Sequence, residues 1–222
     1  MEQQGMNGFF YRNIINAKNH KTIKNFADYR KIPLWCITEE FSCKKNSLSV
    51  FRKEDSVSED EILTSLLFTN ENPHHHNYIR FSYEDLKKSK ILTIQKTDCS
   101  SGYNKATKFH YDIYDLKYES IEKLLKLFSS CEIMNITKPQ GDELLLKAYK
   151  GNNGNSEIDL SKVYMGPLFI KLLTALVKDA KVFTQEERLE NLNRLNKMFD
   201  DVFNKKKIQT EEQIEIFHKI TQ

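Results

Sequence analysis

The side chains best suited to proton transfer are His110 and Asp112, which lie two positions apart in the stretch KFHYDIYDL. In a β-strand such residues project from the same face, about 7 Å apart because each residue rises about 3.4 Å. A carboxylate beside an imidazole can orient the ring and raise its basicity, as a general base or a metal ligand requires. The competing interpretation is a partly exposed, hydrogen-bonded pair on a sheet edge.

Arg12 is a third candidate, because a guanidinium matches the geometry of phosphate oxygens. Together with His110 as base and Asp112 as its orienting group, it predicts an enzyme that processes nucleic acid or nucleotides. This hypothesis requires the three side chains to converge. His110, Asp112 and Arg12 are therefore the candidate catalytic residues.

Other motifs do not indicate a metal or a cofactor. The histidines at 74–76 are consecutive and lack an H-x-E or C-x-x-C partner, so we expect a solvated loop. The phosphate-binding and nucleophile-elbow patterns G-x-x-x-x-G-K-[ST], G-x-G-x-x-G and G-x-S-x-G are missing. We predict reduced, buried thiols and not a disulfide frame for the four cysteines Cys36, Cys43, Cys99 and Cys131.

Composition favours a globular protein of the cytoplasm. The 222 residues are 39% hydrophobic and 29% charged, and the formal net charge is only +3, which is too balanced to indicate nucleic-acid binding. We find neither a leader pattern nor an apolar run of about 18 residues, so we expect no membrane segment. Short basic clusters could still follow a phosphate backbone, although a solvated face is their usual role. The candidate nucleic-acid-binding residues are Lys205, Lys206 and Lys207.

The elements that must position the candidate residues belong to an α+β fold, predicted as a mixed sheet with flanking helices over 1–155. Alternation predicts a central strand with Phe109, Tyr111 and Ile113 on its buried face. A helix capped by Ser120 should follow it, and capping boxes start helices after Ser58 and Ser82. Further predicted strands are 34–38, 48–52, 78–81, 91–95, 132–137 and 143–149; 9–29 is predicted as one or two short helices.

Beyond the glycine- and asparagine-rich stretch 151–156, the pattern becomes helical and predicts three helices over 156–222. Pro167 should begin one, and Thr184 with Glu187 should cap the next. This segment could pack on the sheet or on a partner. The second helix carries a 3-4-3 seam typical of helix–helix contacts, formed by Leu192, Leu195, Phe199 and Val202.

The apolar seam, together with the incomplete catalytic set, predicts a non-enzymatic interaction protein. It could be a subunit of a larger cytoplasmic assembly, and it would bind a protein partner or a second copy through its C-terminal helices. The alternative is the enzyme built on His110 and Asp112. A weaker alternative is nucleic-acid binding without catalysis through the lysine-bearing loops.

Overall fold

The computed structural model describes residues 8–14, 47–69, 76–91, 93–99, 101–114, 116–151, 156–160, 162–163 and 166–205. Its strands are β1 (Phe9–Ile14), β2 (Leu48–Lys53), β3 (His76–Ser82), β4 (Ile94–Lys96), β5 (His110–Ile113) and β6 (Ile133–Ile136). Its helices are α1 (Glu59–Leu67), α2 (Tyr83–Lys88), α3 (Ala106–Phe109), α4 (Tyr118–Ser130), α5 (Lys138–Lys150), α6 (Gly166–Asp179) and α7 (Gln185–Lys205).

The six strands form one sheet in the order β4-β5-β2-β1-β3-β6. All five described pairings are antiparallel, so the α+β class is confirmed, while the sheet that we expected to be mixed is antiparallel.

Helices cover both faces of the sheet. We call the side that buries Tyr11, Phe51 and Tyr78 the first face; α1, α3, α5, α6 and α7 pack there in one hydrophobic cluster. The second face buries Phe10 and Val50 against α2 and α4. Because both faces are buried, most strand positions cannot be assigned to core or solvent by alternation.

Both N-terminal capping boxes are confirmed. The Ser58 hydroxyl accepts from the backbone of Glu61 at the start of α1, and Glu61 accepts from the Ser58 backbone in return. Ser82 and Asp85 make the same exchange at the start of α2. These reciprocal bonds satisfy backbone donors that a helix start leaves without partners, so they fix both boundaries.

Residues 9–14, predicted as part of a helix, form the central strand β1. Phe10 and Ile14 enter the second-face core while Tyr11 enters the first, so apolar residues on both sides obscured the two-residue period. The remainder of the predicted helical stretch, and the predicted strand 34–38, lie outside the described residues.

The predicted strand 143–149 is instead the second half of α5. Thr137 caps this helix by accepting from the Gln140 backbone, and Pro139 occupies its first turn, where a missing N–H costs nothing. Its buried residues follow a helical repeat: Leu144, Leu145, Ala148 and Tyr149. Pro139 and Gly141 therefore belong to a helix start and not to a hairpin turn.

The strand predicted around Phe109, Tyr111 and Ile113 corresponds to β5, which is shorter and more buried than predicted. Phe109 ends the one-turn helix α3 and joins the first-face core, whereas Tyr111 and Ile113 point to the second face. The following helix α4 begins at Tyr118 after Lys117, not after Ser120. Its predicted apolar stripe is confirmed, since Leu124, Leu125 and Phe128 are buried and Ile121 packs against them.

The C-terminal helices α6 and α7 complete the first-face core. Phe169, Leu173 and Val177 of α6 are buried in the same cluster as Leu66 of α1. Thr184 and Glu187 form the predicted capping box at the start of α7. The division of the chain near residue 155 stays a prediction, and the third predicted helix lies outside the described residues.

Candidate functional site

His110 begins β5 and is only 6% exposed. It lies on the first face, opposite Phe51 in the neighbouring strand, and the two rings meet edge to face at 5.4 Å between centroids. Asp112 follows on the same face, opposite Ser49. The sequence therefore placed His110 and Asp112 on one face correctly, and the structure covers His110 but leaves Asp112 partly exposed beside the exposed Ser49.

Hydrogen bonds determine which nitrogen of His110 carries the proton. The Thr97 hydroxyl donates to Asp112 Oδ2 at 3.0 Å, so its oxygen is left to accept from His110 Nδ1 at 2.9 Å. The Thr97 carbonyl, which can only accept, lies 3.3 Å from the same nitrogen. The neutral ring is therefore protonated at Nδ1, and its lone pair is at Nε2.

The Nε2 atom of His110 lies near a carboxylate. Asp112 Oδ1 lies 4.0 Å from it, and that oxygen also accepts a hydrogen bond from Ser49 at 3.1 Å. Burial lowers the pKa of His110, and this outweighs the attraction of Asp112 for the protonated ring. We therefore describe His110 as a neutral imidazole enclosed by Thr97, Asp112 and Phe51.

This arrangement is unsuited to general-base catalysis. A base must present its lone pair to the substrate, whereas the His110 side chain is only 7% exposed. The neighbouring thiol offers no ready nucleophile, because burial and Asp112 raise the pKa of Cys99 to about 11. Among the residues described, no three His, Cys, Asp or Glu side chains lie together as a metal site requires.

Arg12 does not join His110 and Asp112. It lies on β1 opposite Ile79, on the second face, with its guanidinium 5.8 Å from the centre of the Phe128 ring of α4. Its Nη1 donates to the Ser49 carbonyl at 3.1 Å. Because successive strand residues alternate between faces, the sheet itself separates Arg12 from the His110 cluster.

The predicted partner-binding seam of α7 faces inward. Leu195 is 0% exposed and belongs to the first-face core, against which Leu192 and Phe199 also pack. The side chain of Val202 lies outside the described part of α7. The seam was recognised correctly as a helix-packing surface, but the chain's own helices cover it, so Leu195 is not available to a partner.

The basic candidates are not placed by the structure. Lys205 is the last residue of α7, but its side chain is not among those described. Lys206 and Lys207 lie outside the described residues. His76 corrects another expectation, because it is the first residue of β3 and only 2% exposed, not part of a solvated loop. Positions 74 and 75 lie outside the described residues.

Sequence reasoning missed a polar network beside the first-face core. Lys105 Nζ lies 3.1 Å from Glu61 Oε1 and 2.7 Å from Glu157 Oε1, and Tyr103 donates to Glu157 Oε2 at 3.2 Å. Burial, together with nearby Glu157 and Glu61, strongly raises the pKa of Tyr103. These groups satisfy one another, so the network joins α1, the loop before α3 and residues 156–160 structurally.

Sequence reasoning also missed the apolar side chains that remain exposed. Val182, in the turn between α6 and α7, is 58% exposed, and Leu189 of α7 is 62% exposed. A helical wheel could have found Leu189, since six residues at 100° each place it about 120° away from Leu195. An apolar residue so far outside the buried stripe is a candidate for contact with another molecule.

Comparison with models of known protein families, with curated proteins and with solved structures gives no match. In the parts of the chain that the structure describes, no helix has the length and apolar character needed to cross a membrane.

Proposed function

We propose that the protein is a non-enzymatic protein-binding protein that acts through the start of α7. The observation behind the proposal is the exposure of Val182 and Leu189, which have the largest exposed fractions among the described large apolar side chains. We call Val182, Leu189 and the exposed carboxylates Glu186 and Glu190 the α7 entry surface. Exposed apolar side chains rimmed by charge are typical of protein contact sites.

The turn that presents Val182 is held by contacts from both sides. Lys150 Nζ donates to the Val182 carbonyl at 3.2 Å and lies 5.5 Å from the centre of the Phe183 ring. Arg188 Nη2 donates to the Ala180 carbonyl at 2.9 Å. A surface that is already ordered loses less conformational entropy on binding, which supports its use as a contact site.

The charge of this surface indicates what the partner presents. The segment 185–190, QEERLE, carries three glutamates and one arginine, a local charge of −3 + 1 = −2. A suitable partner offers an apolar side chain with Lys or Arg beside it, as on one face of a basic amphipathic helix. Binding such a partner would make this chain a subunit of a larger assembly.

The alternative enzyme has weaker support. Its three residues lie on opposite faces of the sheet, and His110 is only 6% exposed. Both arrangements oppose a shared substrate site for His110, Asp112 and Arg12. The binding hypothesis requires no such convergence, since its residues are already exposed.

The test is a quantitative comparison of co-purifying proteins from the source cell, using tagged wild type and Leu189→Ser. Tyr114→Ser is the matched control, because Tyr114 is also a large exposed side chain, at 40%, but it follows β5 and does not belong to the α7 entry surface. We expect the recovery of at least one co-purifying protein to fall about tenfold or more with Leu189→Ser and to stay unchanged with Tyr114→Ser. That protein, once purified, should bind the wild type with an affinity that falls as salt rises.

Equal recovery of every co-purifying protein by Leu189→Ser and Tyr114→Ser would refute the α7 entry surface. Binding that is lost in Leu189→Ser but insensitive to salt would retain the apolar contact and remove the role of Glu186 and Glu190. Circular dichroism of both variants shows whether each remains folded.

A further inference from the structure

The two edges of the sheet differ in how they are protected against pairing with another strand. Edge strand β4 has only three residues, Ile94–Lys96, and exposes Gln95 and Lys96. Edge strand β6 has the sequence IMNI, without a charged residue, a proline or a bulge. Natural proteins use short length and charge to block edge-to-edge contact. Both edge strands are short, but only β4 carries a charge within the strand, since the four residues of β6 include none.

The side chains of β6 do not obstruct its edge. Ile133 and Met134 are half-buried against the second-face and first-face cores respectively. Helix α4, which precedes β6, packs on the second face, and α5, which follows it, packs on the first. Within the described ranges β6 pairs only with β3, which leaves its other edge as the continuation of the sheet.

Charges at the two ends of β6 are arranged for pairing with an identical strand. Glu132 precedes the strand, Lys138 begins α5 after the extended residue Thr137, and both charged side chains are exposed. In an antiparallel pair centred on Asn135, residue 132 lies opposite residue 138 of the other copy. The two-fold axis then brings Glu132 of each copy to Lys138 of the other, which gives two complementary pairs.

We propose that two copies of this chain associate through β6, in an antiparallel register centred on Asn135, to form a continuous twelve-stranded sheet. The occupant of the edge is a second copy because the flanking charges complement themselves only in that arrangement. This interface is separate from the α7 entry surface, so either can exist without the other. The backbone groups of the edge provide affinity, and the Glu132–Lys138 pairs select the register.

The experiment is sedimentation velocity of the full chain over a dilution series, with wild type, Glu132→Lys, Lys138→Glu and the double exchange. Each single reversal places like charges together twice, so we expect the dimer Kd to rise by about tenfold or more. The double exchange restores opposite charges and should return the Kd to the wild-type range. Lys197→Glu, an exposed lysine of α7, makes the same charge change elsewhere and should leave the dimer intact.

Lys138→Glu should not impair folding, because a glutamate at the first position of α5 interacts favourably with the helix dipole. In the wild type, amide exchange at β6 should slow as the dimer fills, while exchange at β4 should not change. A monomeric wild type would overturn the proposal, as would single reversals without effect or a double exchange that fails to restore the dimer. Since Leu189→Ser should not change this equilibrium, the two proposals fail separately.

Discussion

Both faces of the sheet are buried, but the basic strand residues that they cover differ. The first face covers His110, whose ring is hydrogen-bonded to Thr97. The second face partly covers Arg12 and Arg52, whose guanidinium groups lie 5.8 Å and 5.7 Å from the centres of the Phe128 and Tyr111 rings, and Arg52 also lies 3.3 Å from Glu54. A polar residue in a strand therefore identifies a face but not its exposure.

The first face also has the thicker cover, because α6 and α7 lie beyond α1 and α5 in its core. Substitutions of buried α7 residues should therefore lower the free energy of unfolding as strongly as substitutions in the central strands. Three predictions test the comparison, beginning with the change that should cost the most.

Leu195→Ala should lower the free energy of unfolding by about 2–5 kcal/mol, because it leaves a cavity in the first-face core. Leu189→Ala, in the same helix but 62% exposed, is the matched control and should change stability by less than about 0.5 kcal/mol. Chemical denaturation measures both. Equal small effects would show that α7 does not belong to the core and would return its seam to the set of possible partner surfaces.

Gly102→Ala should destabilise the protein by about 1–3 kcal/mol through overpacking on the first face. A Cβ at this position would lie 2.3 Å from Val163 Cγ2 and 3.3 Å from the Asp159 carbonyl oxygen. Adding Val163→Ala removes the closest atom, so the double variant should lose less than the sum of the two single changes. Additive losses in thermal unfolding would contradict this packing.

Stability should fall as the pH drops through the range in which His110 titrates. Burial lowers the pKa of His110 in the folded state, whereas in the unfolded chain it is about 6.5, so the unfolded state binds more protons. This contribution is fully present above about pH 6.5 and is lost below it, with a slope of at most about 1.4 kcal/mol per pH unit.

The measurement is urea unfolding between about pH 5 and pH 7.5 for wild type and His110→Asn, which removes the titration. We expect a shallower pH dependence in the variant over this interval. The same slope in both proteins would mean that His110 is not buried as a neutral group, and the contrast between the two faces would lose its electrostatic part.

Local signals predicted part of the fold. Capping boxes at Ser58, Ser82 and Thr184 correctly located three helix starts, because those bonds form between residues three positions apart. The strand at 48–52 and the stripe of α4 were also predicted. The prediction was wrong at β1, because apolar residues on both faces of a strand can also be interpreted as a helix. It was wrong at α5, because a proline can mark either a turn or the first turn of a helix.

The candidate site was predictable only as a pair. His110 and Asp112 share a face because strand geometry requires it, but their burial depends on Thr97, Ser49 and Phe51, which are distant in sequence. The position of Arg12 on the opposite face depends on β1 being a strand. The prediction of a partner seam in α7 recognised an apolar stripe without knowing what covers it.

The sequence by itself determined which side chains share a helix stripe or a strand face, since periods of 3.6 and 2 residues are properties of the backbone. Only the tertiary structure decided that Leu195 is covered, that Leu189 is exposed, and that β6 comes last in the order of the described strands. These outcomes depend on the order of strands and the placement of helices. That order is set by contacts between distant segments, which no local pattern contains.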